Sequence, residues 1–532
     1  MARITFKESA WESSFDMIDF WQLLGFLIPK AGATNRGWDE GEFQTAKAIH
    51  GKQKTPVMTS LVFFGPEVLI SLGGLLLLGL DMAKDLRRSL GAAVAYAATA
   101  GAIALLAVAP HAESGMSEFF SYEGLTVGFS LLILFGLTIT VALSQEDETL
   151  KNHWGTYLAL LLFATAGCLL LVKSRDFLYA FVSIELVSIS SFILVAFERR
   201  EMAMIEGALK YFLVGAFSAA IALYGISLYY SATGGTGFAA LGRLDWAVSG
   251  EISLAPLALA GLLLALVSFG FKASIVPFHF WVPDAYQSAP TPITAYLSVV
   301  PKLASLAVLA TLASTAWDGA QSLSRMAELK MVFAVLAVLT MTVGNLSAIH
   351  QTDLKRLLAY SSIAQAGYMM IGIVAATALG SAAILFYGFA YLFMNFGAFA
   401  CVFWAAKRAG SYDLGSCDGL AARHLPFALT FTVFLLSLAG LPPMVGFVAK
   451  YLIFAGALAV HWAWWVALIG ALNSVIGVYY YLRIVYRMFF IETAPSGRVF
   501  NAPILAMTIL VLVLGTLVLG FYPKPLLALA RF

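Results

Sequence analysis

An all-α, polytopic membrane protein of about fourteen transmembrane helices is the fold class this sequence predicts, on three observations. The chain of 532 residues is 61% hydrophobic and only 12% charged, with a mean hydropathy of +0.86, which leaves too little polar surface to coat a soluble globule of that size. Apolar runs of about 20 residues, the length a helix needs to cross about 30 Å of hydrocarbon, recur from Leu61 to the C-terminus. Aromatic residues such as Tyr122, Trp154 and Trp281 stand near the ends of these runs, where amphipathic rings anchor at headgroup level.

The runs fall near residues 61–80, 89–109, 124–143, 155–173, 177–197, 207–231, 254–276, 291–314, 327–348, 357–377, 381–406, 426–455, 461–490 and 501–522. The twelfth and thirteenth are long enough to be tilted or broken. Residues 1–59 are mixed in charge and hold one short apolar stretch, 17–29, too brief to span. That division predicts an N-terminal extension with an interfacial helix (1–59) and a transmembrane domain (60–532). A cleaved leader fits poorly, because acidic residues precede the apolar stretch and no small-residue cleavage pattern follows it.

Basic residues orient the bundle. With the first span running inward, inward loops carry fourteen Lys and Arg and outward loops seven. The count favours both ends of the bundle facing outward, although seven more basic residues in 1–59 level the total.

Composition also excludes classes of function. Net charge is +2, which offers nothing to nucleic acid. The three cysteines, Cys168, Cys401 and Cys417, form neither a C-x-x-C motif nor a Cys/His cluster, so no zinc, iron–sulfur or other cofactor is expected in this chain. Phosphate-cradling glycine loops and a G-x-S-x-G nucleophile turn are missing as well.

Four lysines remain when loop residues are set aside: Lys210, Lys272, Lys302 and Lys450, each inside an apolar run. A charge at bilayer depth costs at least about 2.5 kcal/mol on insertion scales, so these four with Glu67, Glu185 and Glu206 would be a burden without a purpose. Glu206 and Lys210 are four apart on one helix face, which suits a structural ion pair as well as a function. Glu67 follows Pro66 at a helix start, where a terminus or packing role is the simpler reading. Glu185, Lys272, Lys302 and Lys450 have no local partner, and function is the better reading for them. Desolvation favours the neutral amine and a nearby carboxylate favours the ammonium, so a lysine–glutamate pair of variable separation acts as a proton gate.

Prolines interrupt the spans beside two of these lysines. Pro277 lies five residues after Lys272, and Pro442-Pro443 precede Lys450. Proline in a helix frees backbone groups that bind water or ions, although plain kinks are common in membranes. His279, with Asp284 beyond it, stands where the chain leaves the bilayer and serves either as a proton relay or as a hydrogen-bonded structural imidazole; His350 carries the same alternatives. A short internal repeat lays Ser174-Arg175-Asp176 on Gln351-Thr352-Asp353, a shift of 177 residues, and Phe271-Lys272 falls on Ala449-Lys450 at nearly the same shift. Repeats with a charge in a broken helix of each half are a plan of secondary transporters.

Three motifs carry a family resemblance. The run from Phe271-Lys272 through Pro277-Phe278-His279-Phe280-Trp281-Val282-Pro283-Asp284-Ala285-Tyr286 to Ala289-Pro290-Thr291-Pro292 is the first. Asp353-Leu354-Lys355-Arg356-Leu357-Leu358-Ala359-Tyr360-Ser361-Ser362-Ile363 is the second, and Gly440-Leu441-Pro442-Pro443 with Gly446-Phe447 and Lys450 is the third. Together they resemble the antiporter-like subunits of respiratory complex I, most closely the N-type subunit of NADH–quinone oxidoreductase, which also occurs in ferredoxin-linked photosynthetic relatives. M-type subunits usually carry glutamate where Lys450 stands, and L-type subunits continue into a long lateral helix.

The resemblance implies two antiporter-like inverted repeats with broken helices 7 and 12. It also implies a proton line of Glu185 on the fifth helix, Lys272 on the seventh, Lys302 on the eighth and Lys450 on the twelfth; Glu206, Lys210 and His279, read from the residues themselves, are secondary candidates. The expected function is a proton-translocating membrane-arm subunit of a redox-driven NAD(P)H- or ferredoxin-quinone oxidoreductase. NADH, FMN, iron–sulfur clusters and quinone would belong to partner subunits, with M-type and K-type neighbours and lipids as partners. The expected location is the cell's inner (plasma) membrane or a photosynthetic membrane. A subunit of an Mrp-type cation/proton antiporter is the alternative, sharing the same lysines.

Overall fold

The computed structural model describes residues 63–83, 86–108, 119–121, 123–197, 202–243, 254–318, 323–492 and 502–529. The expected extension and interfacial helix in 1–59 lie outside them. The described residues form helices and three isolated β-bridges. In chain order the helices are α1 (Gly65–Ala83), α2 (Arg88–Val108), α3 (Gly124–Gln145), α4 (Trp154–Lys173), α5 (Phe177–Val195), α6 (Met202–Thr233), α7 (Ala255–Ala273), α8 (Val282–Ser288), α9 (Thr291–Asp318), α10 (Leu323–Ile349), α11 (Leu354–Ala375), α12 (Ala378–Ala409), α13 (Leu425–Ala439), α14 (Val445–Leu458), α15 (Trp464–Phe490), α16 (Pro503–Phe521) and α17 (Lys524–Leu529), with single turns between some of them.

Thirteen of these helices are long and apolar enough to cross a membrane, and α13 with α14 make a shorter consecutive pair. Each of the fourteen expected runs therefore has its helix or helix pair. The seventh span is α7 continued by α8, and the twelfth is α13 continued by α14. The thirteenth run, allowed above to be broken, is the unbroken α15.

α9, α11 and α12 are buried along nearly their whole length and make the centre of the bundle. Outer helices turn large apolar side chains outward, among them Leu75 and Leu76 on α1, Phe217 on α6, Val475 on α15 and Phe521 on α16, as a hydrocarbon solvent requires.

The two breaks share one construction. α7 ends on Ser274 in the left-handed region (φ 63), with Ile275 N–H donating to the Gly270 carbonyl; α13 ends on Gly440 (φ 85), with Leu441 N–H donating to Leu436. Both are Schellman-type closures of a helix C-terminus. Each is followed three residues later by a cis proline, Pro277 and Pro443.

The inverted repeat is visible in equivalent hydrogen bonds. Asp176 caps α5 through Leu178 N–H, and Asp353 caps α11 through Arg356 N–H. Phe177 N–H donates to Thr236 and Phe238 N–H to Arg175, while Leu354 N–H donates to Tyr412 and Leu414 N–H to Thr352. Five membrane crossings separate the two caps, so the matching corners lie at opposite ends of the bundle. The lysine half of the 177-residue match does not hold. Aligning the breaks, Ser274 on Gly440 and Pro277 on Pro443, requires a shift of 166, because the segment between corner and break is shorter in the second repeat. Lys272 stands just before its break and Lys450 well after its own.

Glycine sets the seat of α7. A Cβ on Gly261 would meet the Tyr229 backbone nitrogen of α6 at 2.5 Å and the Gly225 carbonyl at 2.8 Å. Gly261→Val must therefore push α6 and α7 apart, at a cost of about 1–3 kcal/mol. The expected result is a lower melting temperature of the detergent-solubilised protein; an unchanged one would show that the helices part freely.

Candidate functional site

Three of the four lysines picked out by their apolar runs, Lys272, Lys302 and Lys450, sit inside the bundle, whereas Lys210 does not. Lys272, on the last turn of α7, is buried and donates to the Tyr211 hydroxyl of α6 at 2.8 Å. Its ammonium lies 5.0 to 5.6 Å from the ring centres of Tyr211, Phe271 and Phe192, within cation–π range. Trp281, beyond the break, stacks on Tyr211 at 4.1 Å and donates to the Phe271 carbonyl at 3.2 Å, so the loop after the break folds back over the lysine's aromatic cage. Glu185 is half-buried on α5, within electrostatic range of Lys272 but not in an ion pair with it.

Lys302, fully buried on α9, donates to the Ser362 carbonyl at 2.8 Å and contacts the Ser362 hydroxyl. Lys450, on α14, reaches back over its own break to the Ala439 carbonyl at 2.9 Å and to the Ser474 hydroxyl at 2.7 Å. Its amine also faces the Tyr368 ring at 4.7 Å.

Neutral polar side chains run between these amines. The Tyr286 hydroxyl, on α8, lies beside Ser274 and Ser362 without completing a hydrogen bond to either; Ser274 Oγ and the Tyr391 hydroxyl beside Ser362 are likewise without a protein partner. This group of hydroxyls lies between the break next to Lys272 and Lys302. On the far side, Ser361 meets the Tyr481 hydroxyl and Tyr387 donates to Gln365. Gln365 donates to Tyr481 at 3.3 Å and to the Leu438 carbonyl at 3.1 Å, one residue from the carbonyl that holds Lys450.

Charge counting missed these residues. Ser361, Gln365 and Tyr368 are spaced i, i+4, i+7 on one face of an apolar run, the periodic signal that could have found them.

The secondary candidates sit elsewhere. Glu206 and Lys210 form the expected ion pair at 2.7 Å, but both side chains are largely exposed, so neither is the buried charge its apolar run suggested. They line a polar cavity of about 810 Å³ at the end predicted to face inward, with Asp284, Asp147, Lys355 and Lys407. Asp284 joins two of the motifs: it pairs with Lys210 at 2.9 Å and with Arg356 at 2.5 Å. Arg356 and Lys210 together offset the negative charge of its carboxylate. Lys355 is buried in the cavity floor, donating to the Gln287 and Ala289 carbonyls. His279 is buried in the loop after the first break, with its Nδ1 lacking a protein partner, and is not hydrogen-bonded to any of the three lysines. His350 ends α10 at the bundle's inward-predicted surface, exposed rather than buried.

Glu67 and Lys173 correct the sequence reading more sharply. Lys173, counted above as a loop residue, is fully buried; its ammonium lies 2.8 Å from Glu67 Oε1 and 2.8 Å from the Phe63 carbonyl. Among the described residues no group of three or more His, Cys, Asp or Glu is placed to hold a metal ion.

Paired broken helices on an inverted repeat, with an uncompensated lysine at each break, define a polytopic, antiporter-like membrane subunit. The family described as NADH:quinone oxidoreductase/Mrp antiporter matches residues 174–477. The chain belongs to that family, and within it to the subunit N group. It is 38% identical to NADH-quinone oxidoreductase subunit N of Trichlorobacter lovleyi over 79% of this chain and 85% of that protein. A chain of respiratory complex I from Thermus thermophilus with bound Aureothin superposes with TM-score 0.71 at 31% identity, over 87% of this chain and 98% of that one. A chain of the Mrp complex from Dietzia sp. matches with TM-score 0.72 at 22% identity, over 90% of this chain and 97% of that one, a likeness of fold alone.

Proposed function

We propose that this chain is a proton-translocating membrane-arm subunit of a complex I-type quinone oxidoreductase, with Glu185, Lys272, Lys302 and Lys450 as its proton stations. One observation carries the residue assignment. Lys173, Lys210 and Lys407 are held in ion pairs, whereas Lys272, Lys302 and Lys450 are bound to hydroxyls and carbonyls alone; Lys355 shares that chemistry through the Gln287 and Ala289 carbonyls but lines the cavity at the bundle's end rather than the interior. An amine held by neutral acceptors releases its proton without orphaning a buried carboxylate, so its charge state is free to change.

In this reading the polar cavity collects protons from the inward side. Lys272 stores one, and Glu185 modulates it from α5. The hydroxyls of Ser274, Tyr286 and Ser362, bridged by water, pass it to Lys302, and the Ser361–Tyr481–Gln365 group carries it to Lys450 on the outward path. Redox cofactors and quinone sit on partner subunits, M-type and K-type neighbours flank the chain, and the cell's inner membrane or a photosynthetic membrane houses the complex.

The relatives' subunit identity favours a redox drive over cation exchange. Purification of the intact complex tests this. Flavin- and iron–sulfur-bearing subunits should co-purify, and proton uptake in sealed vesicles should require an electron donor and quinone. Sodium-driven proton exchange without a donor would move the chain to the antiporter class.

A further inference from the structure

The inward-predicted end carries a cationic cluster that the proton path does not use. Arg408 ends α12, and Arg423 with His424 immediately precedes α13. The Arg408 guanidinium lies 5.1 Å from the centre of the Trp404 ring, one turn earlier on the same helix. Phe427 stacks on the same indole at 4.0 Å, and the His424 ring meets Trp404 edge-on at 5.3 Å. The arginines are close enough to act on each other, and after burial they are what lowers the basicity of His424.

The neighbouring cations differ. Lys407 is paired with Asp147 at 2.9 Å and Arg487 with Asp418 at 2.6 Å, while Arg408 makes no ion pair among the described residues. A chain that neutralises adjacent charges and leaves this one resting on an aromatic platform holds it open for an anion from outside. The surroundings say which kind. Leu425 and Leu429, the first outward-turned residues of α13, are half-exposed directly after the cluster. Cationic groups thus stand over an apolar stripe at a helix end, as a headgroup and its acyl chain would require.

We infer that Arg408, Arg423 and His424, on the Trp404–Phe427 platform, bind the phosphate of an anionic phospholipid from the leaflet at this end of the bundle. Arginine suits the task because its planar fork meets phosphate oxygens two at a time and stacks on indole. The occupied site would tie the α12–α13 corner to the membrane surface close to the polar cavity.

The test uses the intact complex in nanodiscs of neutral phosphatidylcholine doped with phosphatidylglycerol, with retained lipid counted by native mass spectrometry. Wild type should keep phosphatidylglycerol in preference to phosphatidylcholine, and Arg408→Ala with Arg423→Ala should lower that retention about tenfold. Arg408→Lys with Arg423→Lys, which keeps the charge, should retain most of it and serves as the control for folding. Equal retention in the alanine variant overturns the inference. So does displacement of the lipid by millimolar inorganic phosphate, which would make this a free-phosphate site. A photo-crosslinker at the exposed position 425, beside the cluster with both arginines kept, should label lipid; labelling of an acidic segment of a neighbouring subunit instead would also overturn it.

Discussion

Substituting Lys272 by methionine is expected to abolish proton translocation, a loss of about a hundredfold or more, while the complex assembles normally. Assembly should survive because no ion pair is broken, Glu185 sensing this amine only from a distance. Its one hydrogen bond goes to the Tyr211 hydroxyl, and the rings of Phe192, Phe271 and Tyr211 around it accept a thioether of similar length as readily as a lysine stem. Replacing a buried uncompensated charge by an apolar residue is neutral or stabilising more often than not.

Arginine at the same position separates two roles that methionine cannot. Lys272→Arg restores the positive charge and its cation–π contacts but cannot release a proton under physiological conditions. A structural charge would be rescued by arginine; a proton carrier would not. Acidification of sealed vesicles on addition of electron donor and quinone, normalised to native-gel amounts of complex, is the measurement. Pumping by the arginine variant at the wild-type proton-to-electron ratio would remove Lys272 from the path.

Much of this was legible in the sequence because hydropathy reports directly on span length. The fourteen runs and both breaks follow from apolar length and proline. Lys272, Lys302 and Lys450 emerged by subtraction, since a lysine in mid-span has no cheap explanation; the same subtraction also returned Lys210, which lies exposed in an ion pair with Glu206. What was not legible follows from the same physics. Counting charges passes over neutral side chains, so Tyr211, Ser362, Gln365 and Tyr481 are not singled out in the runs that contain them, nor Tyr286 in the segment between two runs. The repeat was half visible: the capping aspartates match because they close equivalent corners, whereas the lysines match in spacing only by coincidence, the shorter segment before the second break putting them on opposite sides of their breaks. Lys173 and Lys355 were taken for loop residues because each stands at a helix end. Only packing reveals that Lys173 lies against α1 and Lys355 under the cavity floor.

Lys173 supplies the contrasting prediction, because it is a buried lysine that should have nothing to do with proton flow. Glu67→Ala removes the carboxylate that lies 2.8 Å from its ammonium and leaves that buried charge beside the rings of Phe63 and Phe64. Breaking one side of such a pair costs about 3–5 kcal/mol, enough to lower the melting temperature and the assembled yield markedly. Removing both charges with Glu67→Leu and Lys173→Leu should recover most of that loss, since two desolvated ions give way to apolar packing of similar volume. The recovered double variant should translocate protons at the wild-type ratio to electrons. If it assembles and fails to pump, the Glu67–Lys173 pair belongs to the proton path, and the division between ion-paired structural lysines and unpaired working ones no longer stands.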